Sequence, residues 1–169
     1  MKKHILTILA AVVLTGLVQA EQKPGISMST ASYQLTVVKD KKGKIVKDKK
    51  GKPVKKWVKA SKVIPGTIVK YVDTVTNSTN EVIKDAKIAN PINQNLIFVE
   101  GSASSKAKFS VTYSVDGGKS YDVPAKLFVI GKDKKKHLAQ AKDYNAILFS
   151  VDEVPAQSKV DVSFKVKLK

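Results

Sequence analysis

The last eleven residues constrain this chain most. From Lys159 to Lys169 the residues Val160, Val162, Phe164, Val166 and Leu168 alternate without a fault against Lys159, Asp161, Ser163, Lys165, Lys167 and Lys169. Successive side chains of an extended strand point to opposite faces, so this pattern predicts a strand with one wet and one buried face. Less regular strand signals cover Tyr33 to Val38, Thr67 to Thr76, Val82 to Ala89, Leu96 to Val99, Ala107 to Val115, Leu127 to Ile130 and Ala146 to Val151. Turn chemistry separates them, at Pro65-Gly66, Asn77-Ser78-Thr79-Asn80, Asn90-Pro91, Asp116-Gly117-Gly118 and Gly131-Lys132-Asp133. Strands this closely spaced, with no sustained helical stripe, predict an all-β chain: a single antiparallel sandwich whose two sheets share one core. Only Lys135 to Tyr144 reads as a turn or two of helix.

Lys2 and Lys3 precede an apolar run from Ile5 to Val18, and Val18-Gln19-Ala20 places small residues where a signal peptidase reads. Residues 1–20 are therefore expected to be a secretory signal peptide, with the mature chain starting near Glu21. The run is about 14 residues, short of the roughly 20 that cross a bilayer, so no transmembrane segment is expected after cleavage. Cysteine is absent, which rules out disulfides and a lipid-bearing cysteine alike. Removing the signal leaves 169 − 20 = 149 residues, a length suited to one domain. The expected division is a signal over 1–20, a short lead over 21–32, and a sandwich over 33–169 carrying a lysine-rich insertion at 39–62. Periplasm is the expected destination, with the cell surface or medium as the alternative.

The formal charge is +17, or 17 − 2 = +15 without the signal lysines. Twelve lysines against Asp40 and Asp48 put 12 − 2 = +10 of it between Lys39 and Lys62. That stretch is an internal repeat: Val38-Lys39-Asp40-Lys41-Lys42-Gly43-Lys44-Ile45 recurs as Val46-Lys47-Asp48-Lys49-Lys50-Gly51-Lys52-Pro53, and Val54-Lys55-Lys56 opens a third copy that breaks at Trp57. Each unit sets Asp at the first and Gly at the fourth position of a turn, the pattern of a type I turn joining a hairpin. The competing reading is a solvated loop, since no apolar residue lies between Lys47 and Pro53.

The motifs in their order resemble a known family. Pro65-Gly66-Thr67, Tyr71, Asn77, Ile88-Ala89-Asn90-Pro91-Ile92, Phe98-Val99-Glu100-Gly101-Ser102-Ala103, Ser114-Val115-Asp116-Gly117-Gly118 and a closing pair of strands between Tyr144 and Phe164 are similar to the bacterial conserved-repeat domain, domain of unknown function eleven. The resemblance spans roughly Tyr33 to Lys169. It implies an immunoglobulin-like sandwich used in exported and surface proteins, and it brings no catalytic residues. Asp73 departs from the pattern, falling in the inward phase of Tyr71 and Val75 where the family carries an apolar residue; unpaired in a core, it would make Asp73→Val stabilising. The doubled lysine repeat is longer than the single turn usual there. Ser114 to Tyr121 also resembles the Asp-box hairpin of secreted β proteins, which implies turn formation.

The inventory argues against an enzyme. His137 is the only histidine beyond the signal and lies among Lys134, Lys135 and Lys136, so neither a Cys-His pair nor a multi-His zinc site is available. Asp152 and Glu153 are neighbours on a strand and point apart. Asp40 and Asp48 are lysine-flanked turn formers and poor calcium ligands. No cofactor is expected. The expected function is a non-catalytic envelope module that meets a protein or glycan, as a monomer or in weak association through an edge strand. The alternative is loose, salt-sensitive contact with a polyanion (lipid head groups, acidic glycan or extracellular nucleic acid) through Lys41, Lys42, Lys44, Lys49, Lys50, Lys52, Lys55 and Lys56. Arginine is absent, so every cation lacks the planar fork that reads phosphate bidentately. Lysines that only keep sheet edges apart and the protein in solution account for the same residues.

Overall fold

The computed structural model describes residues 7–9 and 25–169. The signal expected over 1–20 and the start of the lead therefore lie outside the described residues, apart from β1 (Thr7–Leu9). The chain continues through β2 (Ile26–Val37), β3 (Lys55–Lys59), β4 (Ile68–Asn77), β5 (Ile83–Pro91), β6 (Leu96–Phe98), β7 (Ser104–Ser105), β8 (Phe109–Ser114), β9 (Phe128–Ile130), β10 (Lys136–Leu138), β11 (Ala146–Val154) and β12 (Ser158–Leu168). One sheet has the order β1-β5-β11-β8; a six-stranded sheet has the order β3-β2-β4-β12-β6, with β7 also on β12; β9 and β10 form a separate ribbon. Except for β1, which runs parallel to β5 at Lys87–Ala89, the ladders are antiparallel. The fold is an all-β sandwich. No helix of the described residues is long and apolar enough to cross a membrane.

The alternation of β12 turns directly into packing. Val160, Val162, Phe164 and Val166 lie opposite Val75, Asp73, Tyr71 and Val69 of β4, and all four are buried. From the other sheet Ile147, Phe149 and Val151 lie opposite Asn90, Ile88 and Ala86, and the Phe149 and Phe164 rings meet between the sheets at 6.2 Å. At one end Tyr113 stacks on Tyr144 at 4.6 Å, and Phe98 closes over Tyr113 at 5.1 Å. Full burial of a Val, Ile or Phe side chain contributes about 1.5–3 kcal/mol, and with no cysteine this core is the principal stabilising element.

Two expectations are corrected. Within the lead expected over 21–32, the residues from Ile26 onward are strand: Ile26 to Ser32 pairs residue for residue with Asn77 to Tyr71. Its inward positions are Met28, Thr30 and Ser32, too polar to register as an apolar alternation, and the ladder to β4 makes the strand instead. The helix expected within Lys135–Tyr144 is β10 followed by one 3₁₀ turn, Ala141–Asp143. Here the Ala139 N–H donates to the Leu127 carbonyl and the Asp143 carboxylate accepts from the Gln140 N–H, so ribbon and capping bonds take the backbone groups a helix needs.

Candidate functional site

The lysine repeat folds as a cloverleaf. In the first leaf Asp40 Oδ1 accepts the N–H groups of Lys42 and Lys44, both at 2.9 Å, while the Gly43 N–H donates to the Asp40 carbonyl at 3.0 Å. The second leaf repeats this eight residues on: Asp48 Oδ1 accepts from Lys50 at 2.8 Å and Lys52 at 2.9 Å, and the Gly51 N–H donates to the Asp48 carbonyl at 3.0 Å. Gly43 and Gly51 hold φ of +79° and +75°, the left-handed conformation that closes such a turn and that a Cβ disfavours. Lys39 bridges Ile45 in one leaf and Lys47 bridges Pro53 in the other.

The leaves are joined at the valine that opens each repeat. The Val46 N–H donates to the Val38 carbonyl, Val54 to Val46, and Val38 to Val54, at 3.0, 2.9 and 2.8 Å, a closed ring of three bonds. The third copy therefore supplies the last vertex before the chain enters β3 as the partner of β2. Val38, Val46 and Val54 are half-buried, and every residue of 39–45 and 47–53 is exposed. A reading limited to turn residues misses these valines; their eight-residue spacing was the available signal.

Lys41 and Lys42 sit at the tip of one leaf, Lys49 and Lys50 at the tip of the other; Lys44 and Lys52 begin the return limbs, and Lys55 and Lys56 start β3. All are exposed, and none forms an ion pair among the described residues. Each leaf carries four lysines against one aspartate, so its potential is positive. The arrangement joins the bases of the two leaves at one centre and places the two lysine tips on separate leaves.

Other polar groups are bonded within the fold. Asp73 is fully buried between the sheets; the Thr30 hydroxyl donates to its Oδ1 at 2.6 Å and Asn90 Nδ2, from the opposite sheet, to its Oδ2 at 2.8 Å. Burial pushes its carboxyl above the ordinary range, and the two hydrogen bonds draw it part of the way back. It is therefore neither an unpaired core charge nor an exposed residue. Asn77 is also fully buried: its Nδ2 donates to the carbonyls of Glu81 and Pro155 at 2.8 and 2.9 Å and its Oδ1 accepts from Thr79, tying the β4–β5 turn to the β11–β12 turn. Asp116 accepts from the Ser120 hydroxyl and N–H, the Ser114 hydroxyl and the Lys119 N–H, which hold its carboxyl far below the ordinary range. His137 pairs with Asp133 at 2.9 Å on the exposed β9–β10 ribbon, and Asp152 with Lys108 at 2.8 Å. No group of His, Asp or Glu suited to hold a metal ion occurs among the described residues.

No family model matches this chain, and neither a curated protein nor a solved structure matches it.

Proposed function

We propose that this protein is an exported, non-catalytic sandwich module of the bacterial cell envelope with a structural or interaction role. One observation carries the reading. Asp73, Asn77, Asp116 and Asp133 each serve a strand, a turn or a pair within the fold, and no cluster of His, Asp or Glu suited to hold a metal ion occurs among the described residues. Support for the immunoglobulin-like form and for likeness to conserved-repeat domains comes from the motif order between Tyr33 and Lys169 and from a sandwich built on that stretch. Export to the periplasm rests on the basic start, the apolar run and the Val18-Gln19-Ala20 site. The test is fractionation of the producing cell with N-terminal sequencing. A start at Glu21 in the envelope fraction, and a protein or glycan partner recovered under physiological salt, support the proposal. Cytoplasmic full-length chain, or turnover of a glycoside or ester by the pure protein, overturns it.

A second reading is favoured by the cloverleaf itself. A bonded frame presents lysines that form no ion pair among the described residues, so a polyanion contact through Lys41, Lys42, Lys49 and Lys50 meets a preorganised surface at little ordering cost. Changing those four to Gln is expected to abolish retention on an anionic matrix at moderate salt and leave the melting temperature nearly unchanged. Retention equal to wild type removes this reading.

A further inference from the structure

We infer that the outer face of the six-stranded sheet, continuous with the cloverleaf, docks on an anionic phospholipid surface; the inference rests on the polyanion reading of the lysine repeat and names its partner. The ladder registers define the face. Val37 pairs with Lys55, Leu35 with Trp57 and Tyr33 with Lys59; Tyr33 also pairs with Lys70, Lys70 with Lys165, and Ile68 with Lys167. Directly paired residues share a side of the sheet, so the lysines of β3, β4 and β12 stand together around Tyr33, Leu35 and Trp57. The only acid among the outward residues of these four strands is Asp161, whose Oδ1 accepts from the Thr74 hydroxyl at 2.6 Å.

Three features of the face are poorly explained by solubility alone. Lys70 and Lys165 are half-buried and directly opposed with no ion-pair partner among the described residues, although like charges directly opposite weaken a sheet. Leu35 and Trp57 are 38% and 37% exposed as a cross-strand apolar pair set among lysines, with Lys165 Nζ at 5.8 Å from the indole centroid. On the far side of the sheet from β3, where β7 pairs with β12, a recess of about 420 Å³ is lined by Lys70, Lys106, Lys159, Ser104, Ser105 and Asp161, among others, with cations and hydroxyls for one anionic head group and Asp161 as the opposing charge.

These features favour a bilayer over other polyanions. Amphipathic tryptophan sits at the membrane–water boundary, and basic residues beside an anionic leaflet are attracted without fixed geometry. Lysine without arginine lacks the fork for a stereospecific acidic glycan, and one tryptophan does not make a stacking platform for nucleic acid.

Trp57 is the chain's single tryptophan, so its emission reports the contact directly. The protein is mixed with vesicles of phosphatidylcholine alone or with added phosphatidylglycerol. Co-sedimentation and a blue shift of Trp57 emission are expected only with phosphatidylglycerol, both weakening as salt rises. Each lysine brought to such a surface contributes roughly fivefold in partitioning, so the Lys41, Lys42, Lys49 and Lys50 to Gln variant is expected to lose two to three orders of magnitude. Lys70→Gln is expected to weaken partitioning severalfold while the melting temperature holds or rises, an opposition that a purely structural lysine does not produce. Inorganic phosphate at matched ionic strength is expected to compete poorly; full displacement by it identifies a small-anion site and refutes the membrane. Retention on heparin or DNA without vesicle binding overturns the lipid assignment and leaves the polyanion reading standing. Absence of retention on every anionic matrix overturns both.

Discussion

Replacing Asp73 with Asn removes a buried charge and keeps the shape of the inter-sheet contact. The Thr30 hydroxyl still finds an acceptor at Oδ1, and the new amide N–H₂ finds one if Asn90, whose side chain has no other hydrogen bond among the described residues, turns its amide over. Two hydrogen bonds are conserved and the desolvation of a carboxylate is removed. The folded pKa of Asp73 is raised, so the native state holds the proton at pH values where the unfolded chain, near 3.8, has released it. With more protons bound in the native state, wild-type stability falls as pH rises from about 3.8 through the folded pKa, by about 1.4 kcal/mol for each unit of displacement. Asp73→Asn lacks this loss, so its advantage over wild type is expected to be absent in acid and to grow toward neutrality. Asp116 and Asp133 have lowered pKa values and tilt the whole curve the other way, but they are present in both proteins and cancel in the difference. Asp73→Ala separates the hydrogen bonds from the charge: it strands Asn90 Nδ2 in the core at about 1–3 kcal/mol, and the small cavity adds to that. Urea unfolding of the three proteins at a series of pH values measures both effects. A pH-independent difference between wild type and Asp73→Asn refutes the account of a strained buried carboxylate.

Other contacts give sharper local tests. Asn77→Ala removes the bonds to Glu81, Pro155 and Thr79 from a fully buried site and is expected to cost about 3 kcal/mol or more in thermal or urea unfolding. Gly118→Ala places a Cβ 2.9 Å from the Tyr121 hydroxyl at a φ of +84°, whereas Gly43→Ala meets open space at a φ of +79°. The first is expected to cost about 1–3 kcal/mol of global stability. The second is expected to cost about 1 kcal/mol, confined to the leaf, and equal global losses refute the distinction. Asp40→Ala and Asp48→Ala each release two backbone amides, so hydrogen exchange at Lys42 and Lys44, or at Lys50 and Lys52, is expected to quicken severalfold with the core amides unchanged.

The residues of β12 show what could be read directly. Alternation assigns each side chain to a face, and Val160 to Val166 went to the core as expected because face is a property of one strand alone. The turns at Asp40-Gly43 and Asp48-Gly51 were equally legible, since Asp and Gly act within four or five residues of themselves. The first half of β2 was hidden because Thr30 and Ser32 carry no apolar signal, and only the ladder to β4 makes them strand. The valines of the cloverleaf were visible as a repeat but not as a ring, because ring closure needs Val38 and Val54 held by β2 and β3.

The amino-acid sequence by itself determined most of the strands and their wet and dry faces, the turns, the concentration of lysine and the basic, apolar beginning of the chain. Only the tertiary structure decided who stands opposite whom: Asp73 against Asn90 across the core, Lys70 against Lys165 on the outer face, and Val38, Val46 and Val54 about one centre. The physical reason is that periodicity is a local property of the backbone, whereas register is chosen by the summed pairing of segments far apart in the chain, and the charges and hydrogen bonds that give a surface its chemistry are set by register.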